Sequence, residues 1–224
     1  MSAGGTASLP AVGAVLPASL PQFAHIRRYW DPLHDSFAAK LLPGEYYVTI
    51  AAELICTVLG SCVSACVRDA ELGIGGMNHF MLPLDSCRGE RDWGAATSAA
   101  TRYGNVAMER LIGDLLAAGA RLEHLEFKLV GGGKVLAALT DIGHANIQFV
   151  RAYLKERGLA VVGEDLGDVY PRKVHFYPAS GRVRVKKLLS TRTGTIYARE
   201  RNYLREVNGA LPEMSAAGTR GVAP

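Results

Sequence analysis

Two residues in this sequence could do chemistry together, Cys62 and His79. Cys62 ends the string Leu59-Gly60-Ser61-Cys62. His79 stands seventeen positions later, inside the apolar run Met77-Asn78-His79-Phe80-Met81-Leu82-Pro83. A free thiol has a pKa of about 8.5, so only roughly 3% is thiolate at neutral pH. An imidazole within hydrogen-bond reach raises that fraction by holding thiolate and imidazolium as a pair. The small residues before the cysteine leave backbone N–H groups uncovered near Ser61 and Cys62, where an oxyanion could be held. Such a pair attacks acyl carbons in peptides, esters, thioesters or carboxamides, and the pair alone does not choose among them.

The plainer readings compete. A cysteine after Gly-Ser is often only a packed thiol. A histidine among Met77, Phe80, Met81 and Leu82 is expected to be buried and needs a partner, which a backbone group could supply. Cys66 reads as a packed thiol and Cys87, in a polar stretch, as an exposed one. His124 and His175 fall beside Lys128 and Lys173 on strand faces expected to be solvated, and His25 and His34 lie in a poorly patterned N-terminal stretch. His144 falls near a helix start and reads as a surface or capping-region residue. The triple glycine Gly131–Gly133 with Lys134 is not a phosphate loop, because position 128 is Lys128 and position 135 is Val135. The glycines are expected to permit close backbone approach or positive φ.

The elements that must position the pair follow from pattern. Tyr46 to Ala51, Glu53 to Leu59 and Val63 to Val67 are rich in β-branched and aromatic residues and read as strands, followed by Met77 to Leu82. Residues 84–96 read as a loop. Ala95 to Ala118 is a helix carrying Tyr103, Ala107, Leu111 and Leu115 at four-residue spacing, ended by Gly119. Leu122 to Val130 alternates with Leu125, Phe127 and Leu129 inward. A second helix spans about Ala145 to Arg157, with Ile147, Val150 and Leu154 on one face and Gly158 as its stop. Leu159 to Val162 is a short strand, and Val174 to Tyr177 with Arg182 to Leu188 form a hairpin. The basic cluster Arg182, Arg184, Lys186 and Lys187 reads as a solvated strand face that could also meet an acidic protein surface.

This order predicts a mixed α/β fold, a layered sheet sandwich flanked by two main helices. Residues 1–22, uncharged and rich in Ala, Gly, Pro and Ser, are expected to be a disordered leader. Residues 23–43, with Tyr29, Trp30 and Phe37, are expected to dock on the domain. The catalytic domain is expected over 44–188, and 189–224 is a tail with one possible helix near Ile196 to Val207.

The chain has 224 residues, 49% of them hydrophobic, enough for one sizeable core. Its formal charge of +4 is too small to argue for nucleic acid. Four cysteines without a CxxC pair suggest a reducing, cytoplasmic setting. No positively charged signal start and no run of about 18 apolar residues occurs, so membrane insertion is not expected.

The string Leu59 to Val63, then Arg68-Asp69 and Gly75 to Pro83, resembles the CheD family, the chemoreceptor glutamine deamidases of bacterial chemotaxis. The similarity continues through Lys128 to Gly133, Ile142-Gly143 with Asn146, Glu164 to Gly167 and the terminal hairpin. The resemblance implies a fold similar to that of cysteine deamidase toxins and a Cys–His–Thr triad that converts receptor glutamines to glutamates without a metal or cofactor. Cys62 matches the nucleophile and His79 the base. The family's threonine precedes the cysteine by five or six positions. Thr57 stands five ahead and Cys56 six, and Thr57 is chosen because its hydroxyl can accept an imidazole N–H. A register that demanded position 56 would leave the role to a backbone carbonyl. The implied partners are the cytoplasmic domains of methyl-accepting chemoreceptors and a CheC-type phosphatase. The alternatives are a module that regulates such a phosphatase by binding, or a glutamyl methylesterase built on the same pair.

Overall fold

The computed structural model describes residues 15–81, 103–135, 142–189 and 198. The leader as far as residue 14, the loop at 84–96 with Cys87, residues 95–102 of the expected first helix and the expected C-terminal helix all fall outside these residues, apart from Ala198. Tyr103, expected inside the first helix, is instead its extended N-cap, so that helix begins at Gly104.

Strands β1 (Arg27–Asp31), β2 (Ser36–Lys40), β3 (Tyr46–Thr49), β4 (Leu54–Leu59), β5 (Val63–Asp69) and β6 (Gly75–Asn78) come first in the chain. Helix α1 (Gly104–Ala117), strand β7 (Leu125–Gly131), helix α2 (Ile142–Glu156) and strands β8 (Ala160–Leu166), β9 (Arg172–Tyr177) and β10 (Arg182–Lys187) follow. Among the described residues the strands make two five-stranded sheets, one ordered β1-β2-β4-β9-β10 and the other β3-β6-β5-β7-β8. The mixed α/β layering expected from the sequence is therefore present. The stretch at 23–43, expected to dock on the domain, enters the first sheet as β1 and β2, with β2 parallel to β4.

Three layers result. Alternation along β5 and β6 sends Val63, Ala65, Val67, Gly76 and Phe80 to one face of the second sheet and Cys66, Met77 and Gly75 to the other. The helices cover the first face, where Asn78 donates from Nδ2 to the Met108 sulfur at 3.3 Å and Phe80 meets Phe149 edge-to-face at 5.9 Å. Helix α1 packs this closely because residue 76 is glycine: a Cβ there would sit 2.8 Å from Leu111 Cδ1 and 2.6 Å from the Tyr47 carbonyl. The buried stripe of α1 is Ala107, Met108, Leu111, Ile112 and Leu115, and that of α2 includes Ile147, Val150, Tyr153 and Leu154. Each such large apolar side chain contributes about 1.5–3 kcal/mol when withdrawn from water.

The other face of the second sheet meets the first sheet, through Ile55, Leu59, Val174 and Phe176. The first sheet buries a smaller cluster on its far side, Ala38, Leu54 and Cys56 against Tyr29 and Tyr177. Strand β4 is thus covered on both faces.

Candidate active site

The link from β4 to β5 carries Gly60, Ser61 and Cys62, and β6 leads to His79. One register runs through this pairing. Cys66 stands opposite Met77, and the same offset places Val63 opposite Phe80, with both Val63 and Phe80 amides bonded across at 3.1 Å. Carried one residue further each way, it puts Cys62 and His79 on the same face as diagonal neighbours. Such neighbours stand about 7–8 Å apart, within reach of longer side chains. That face looks into the gap between the sheets. Cys62 and His79 are 3% and 2% exposed.

His79 is held on both sides. Its amide donates to the Glu45 carbonyl at 2.9 Å, and its carbonyl accepts from the Gly44 amide at 2.8 Å. Its ring meets the first sheet: Thr57 Oγ1 lies 2.8 Å from His79 Nδ1 and donates to the Leu41 carbonyl at 2.9 Å. A hydroxyl has a single proton. With that proton on Leu41, the oxygen can only accept from Nδ1–H, which leaves Nε2 as the nitrogen that gains and loses a proton. Thr57 reaches the ring because Ile55, Thr57 and Leu59 point between the sheets. Cys56 points to the far side, where its sulfur lies 3.5 Å from the Tyr29 hydroxyl.

Cys62 rests on the glycine run. Gly132 donates to the Cys62 carbonyl at 2.8 Å and Gly133 to the Gly60 carbonyl at 2.9 Å. Gly131 has φ +117°, and a Cβ there would come within 2.3 Å of the Cys62 carbonyl oxygen. The run serves close backbone approach, as its composition suggests. Gly143, in the first turn of α2, presses on the same place, since a Cβ on it would meet the Gly132 carbonyl at 2.6 Å. Three residues on, Asn146 is fully buried and donates from Nδ2 to the Ser61 carbonyl at 3.2 Å and the Met81 carbonyl at 3.0 Å. One amide thus ties the residue before Cys62 to the segment after β6 that carries His79. The motif resemblance included Asn146 without a task for it. A polar amide on the buried stripe of an amphipathic helix was the signal available.

The remaining thiols and histidines sort by surroundings. Burial pushes the Cys56 thiol up, and it pushes Cys66 up strongly, so neither is a ready nucleophile at neutral pH. His124 sits beside Asp69 and Glu71, 3.4 Å from the latter. His175 is not on a solvated face: it is buried on the far side of the first sheet, its ring 4.3 Å from that of His34. Burial, with His34 and Lys173 nearby, pushes its pKa down to about 4. The sequence pattern missed this because β9 is a central strand and the turn after β1 folds over it. Among the described residues, Asp31, His34 and His175 form a group that could hold a metal ion, on the face of the first sheet opposite Thr57.

Comparison with known sequences gives a consistent picture. A family model described as CheD chemotactic sensory transduction matches residues 81–187. A protein of Halorhodospira halophila called a probable chemoreceptor glutamine deamidase CheD is 56% identical over 196 residues, covering 88% of this chain and 91% of that protein. A protein of the same description from Hahella chejuensis is 47% identical over 192 residues, 86% of this chain and 90% of that one. A third, from Hydrogenovibrio crunogenus, is 50% identical over 182 residues, 81% and 93% of the two chains.

Proposed function

The chain belongs to the CheD family, and from that premise we propose that it hydrolyses glutamine side chains of chemoreceptors to glutamate, with Cys62 as nucleophile, His79 as base and acid, and Thr57 holding His79. The observation that carries this reading is the Thr57–His79 hydrogen bond, on the face that Cys62 shares. An imidazole so held presents Nε2 alone for proton transfer, which is what acyl transfer by a thiol requires.

In the proposed cycle, His79 Nε2 takes the Cys62 proton and the thiolate attacks the glutamine side-chain carbonyl carbon. The carbonyl electron pair moves to oxygen, where the backbone N–H groups of Ser61 and Cys62 are the proposed donors. As the pair returns, the carbon–nitrogen bond breaks and the nitrogen takes the proton from Nε2, leaving as ammonia. His79 then takes a proton from water, whose oxygen attacks the thioester. The carbon–sulfur bond breaks, giving glutamate and the starting enzyme, so the sum is glutamine plus water to glutamate plus ammonia. The near-complete burial of Cys62 and His79 strengthens each charge interaction in this cycle.

The receptor portion acted on is the cytoplasmic one in this reading, and a CheC-type phosphatase is a second proposed partner. Among the described residues no helix is long and apolar enough to cross a membrane. The test is mass spectrometry of a receptor cytoplasmic fragment incubated with the full chain, with ammonia assayed in parallel. Amide-to-acid conversion at glutamine, absent with a folded Cys62→Ala variant, is the expected result. Normal turnover by that variant refutes the assignment of Cys62. Methanol release from methylated receptor without ammonia would instead make the protein an esterase.

A further inference from the structure

The far face of the first sheet holds a polar group that the proposed reaction does not use. Asp31 ends β1, His34 stands three residues on in the turn to β2, and His175 lies in β9, directly across the ladder from Cys56. One donor atom from each of the three residues lies within 4.8 Å of the other two. Asp31 and His175 are buried, 6% and 8% exposed, beneath a turn rather than on an open surface. Asp31 accepts from the Leu33 amide at 3.0 Å through Oδ1, and its Oδ2 lies 2.8 Å from His34 Nδ1. The second observation is the Nε2 atom of His175, which is buried and meets no hydrogen-bond partner among the described residues. A buried ring nitrogen without a partner is costly, and a ligand would remove that cost.

We propose that Asp31, His34 and His175 bind one divalent transition-metal ion of the zinc type, which fastens the β1–β2 turn to β9. Two imidazoles and one carboxylate make a donor set that suits zinc, with a fourth position left for water. Ligands at about 2.0–2.1 Å around a tetrahedral ion stand roughly 3.3 Å from one another, so the Asp31–His34 contact opens by about half an ångström, while the His175 donor closes on the other two from a separation of at most 4.8 Å. Lys173 and Arg184 act on the same neighbourhood as positive charges; the Asp31 carboxylate is the anion in the group that offsets them. The site lies on the side of β4 away from Thr57, so its occupancy is separable from the Cys62 chemistry.

The experiment is a zinc titration of the full chain at neutral pH against a chromophoric chelator, with thermal unfolding measured in parallel. One equivalent is expected to bind wild type and the Cys62→Ala variant alike, and to raise the unfolding temperature of both. His175→Ala and His34→Ala are expected to weaken binding by roughly a hundredfold or more, beyond the ~10–100-fold that loss of an outer-shell partner costs, and to abolish the thermal shift. Asp31→Asn keeps the size of the side chain and an acceptor for the Leu33 amide, so it stays informative if a histidine variant fails to fold. It should weaken binding by a similar factor. Affinity unchanged in folded Asp31→Asn or His175→Ala would overturn the proposal. So would zinc binding that disappears with Cys62→Ala, since the metal would then sit at the Cys62–His79 pair.

Discussion

Replacing Thr57 by valine removes one oxygen and keeps the β-branched shape, which makes it a clean probe of the His79 hydrogen bond. Two partners lose their bond at once: the His79 Nδ1–H, and the Leu41 carbonyl that received the hydroxyl proton. A hydrogen bond of this kind is worth about 0.5–1.5 kcal/mol net, and a buried partner left unsatisfied costs about 1–3 kcal/mol. If about 1.5–2 kcal/mol of that preference selects the ring tautomer and orientation, turnover falls roughly 10–30-fold. The remainder appears as lost stability, about 1–2 kcal/mol, from the stranded Leu41 carbonyl. The assay is initial-rate ammonia release from a receptor fragment across a range of pH, with circular dichroism and urea unfolding as controls. Thr57→Ser, which keeps the hydroxyl, should recover most of the rate. A folded Thr57→Val variant with wild-type rate and pH profile would refute the role given to Thr57.

Other expectations follow from the same geometry. Asn146→Ala should lose about 2–3 kcal/mol of stability through two bonds to buried carbonyls, and Asn146→Asp should be worse despite its shape, because it faces those carbonyls with acceptors; urea unfolding and ammonia release measure both. Gly131→Ala should destabilise by more than about 2 kcal/mol, given its φ and the 2.3 Å approach to the Cys62 carbonyl. Gly113→Ala, on a helix position with open space around it, should stabilise by about 0.5–1 kcal/mol in the same unfolding assay. Asp69 gives the pH dependence. Burial opposes ionisation there, but the amides of Arg121, Leu72 and Glu71 hold its carboxyl below the usual range. The folded state therefore binds fewer protons than the unfolded one. Its contribution is fully present above the ordinary carboxylate pKa of about 4 and is lost as pH falls through the lowered value. Asp69→Asn should be less stable at neutral pH by about 1–3 kcal/mol, with a shallower acid limb when urea unfolding is followed against pH.

The stripes of α1 and α2 were legible because each helix buries a single face, so a four-residue spacing of apolar residues has only one explanation. The pairing of Cys62 with His79 was suggested by residue type and motif; the strand register puts the two residues on one face. The choice between positions 56 and 57 could not be read from alternation, since both faces of β4 are buried and neither is marked by polarity. Strand β8 was read only to Val162. It continues through Glu164 and Asp165 to Leu166, and as an edge strand it tolerates charged residues that resemble a loop. Glu164 pairs there with Arg151 of α2. The burial of His175 had no local signature at all. His34, 141 positions away, covers it, and only the folding of the β1–β2 turn over β9 brings them together.

Because the Thr57 hydroxyl spends its proton on Leu41, the imidazole has one working end. In the proposed cycle ammonia departs past that end and water arrives at the same end. The two halves of that cycle would then run in sequence, the acyl group staying on sulfur until the first product has left Nε2. Retained ammonia would simply reverse the first half, so added ammonium should return acyl-enzyme to glutamine and slow net conversion.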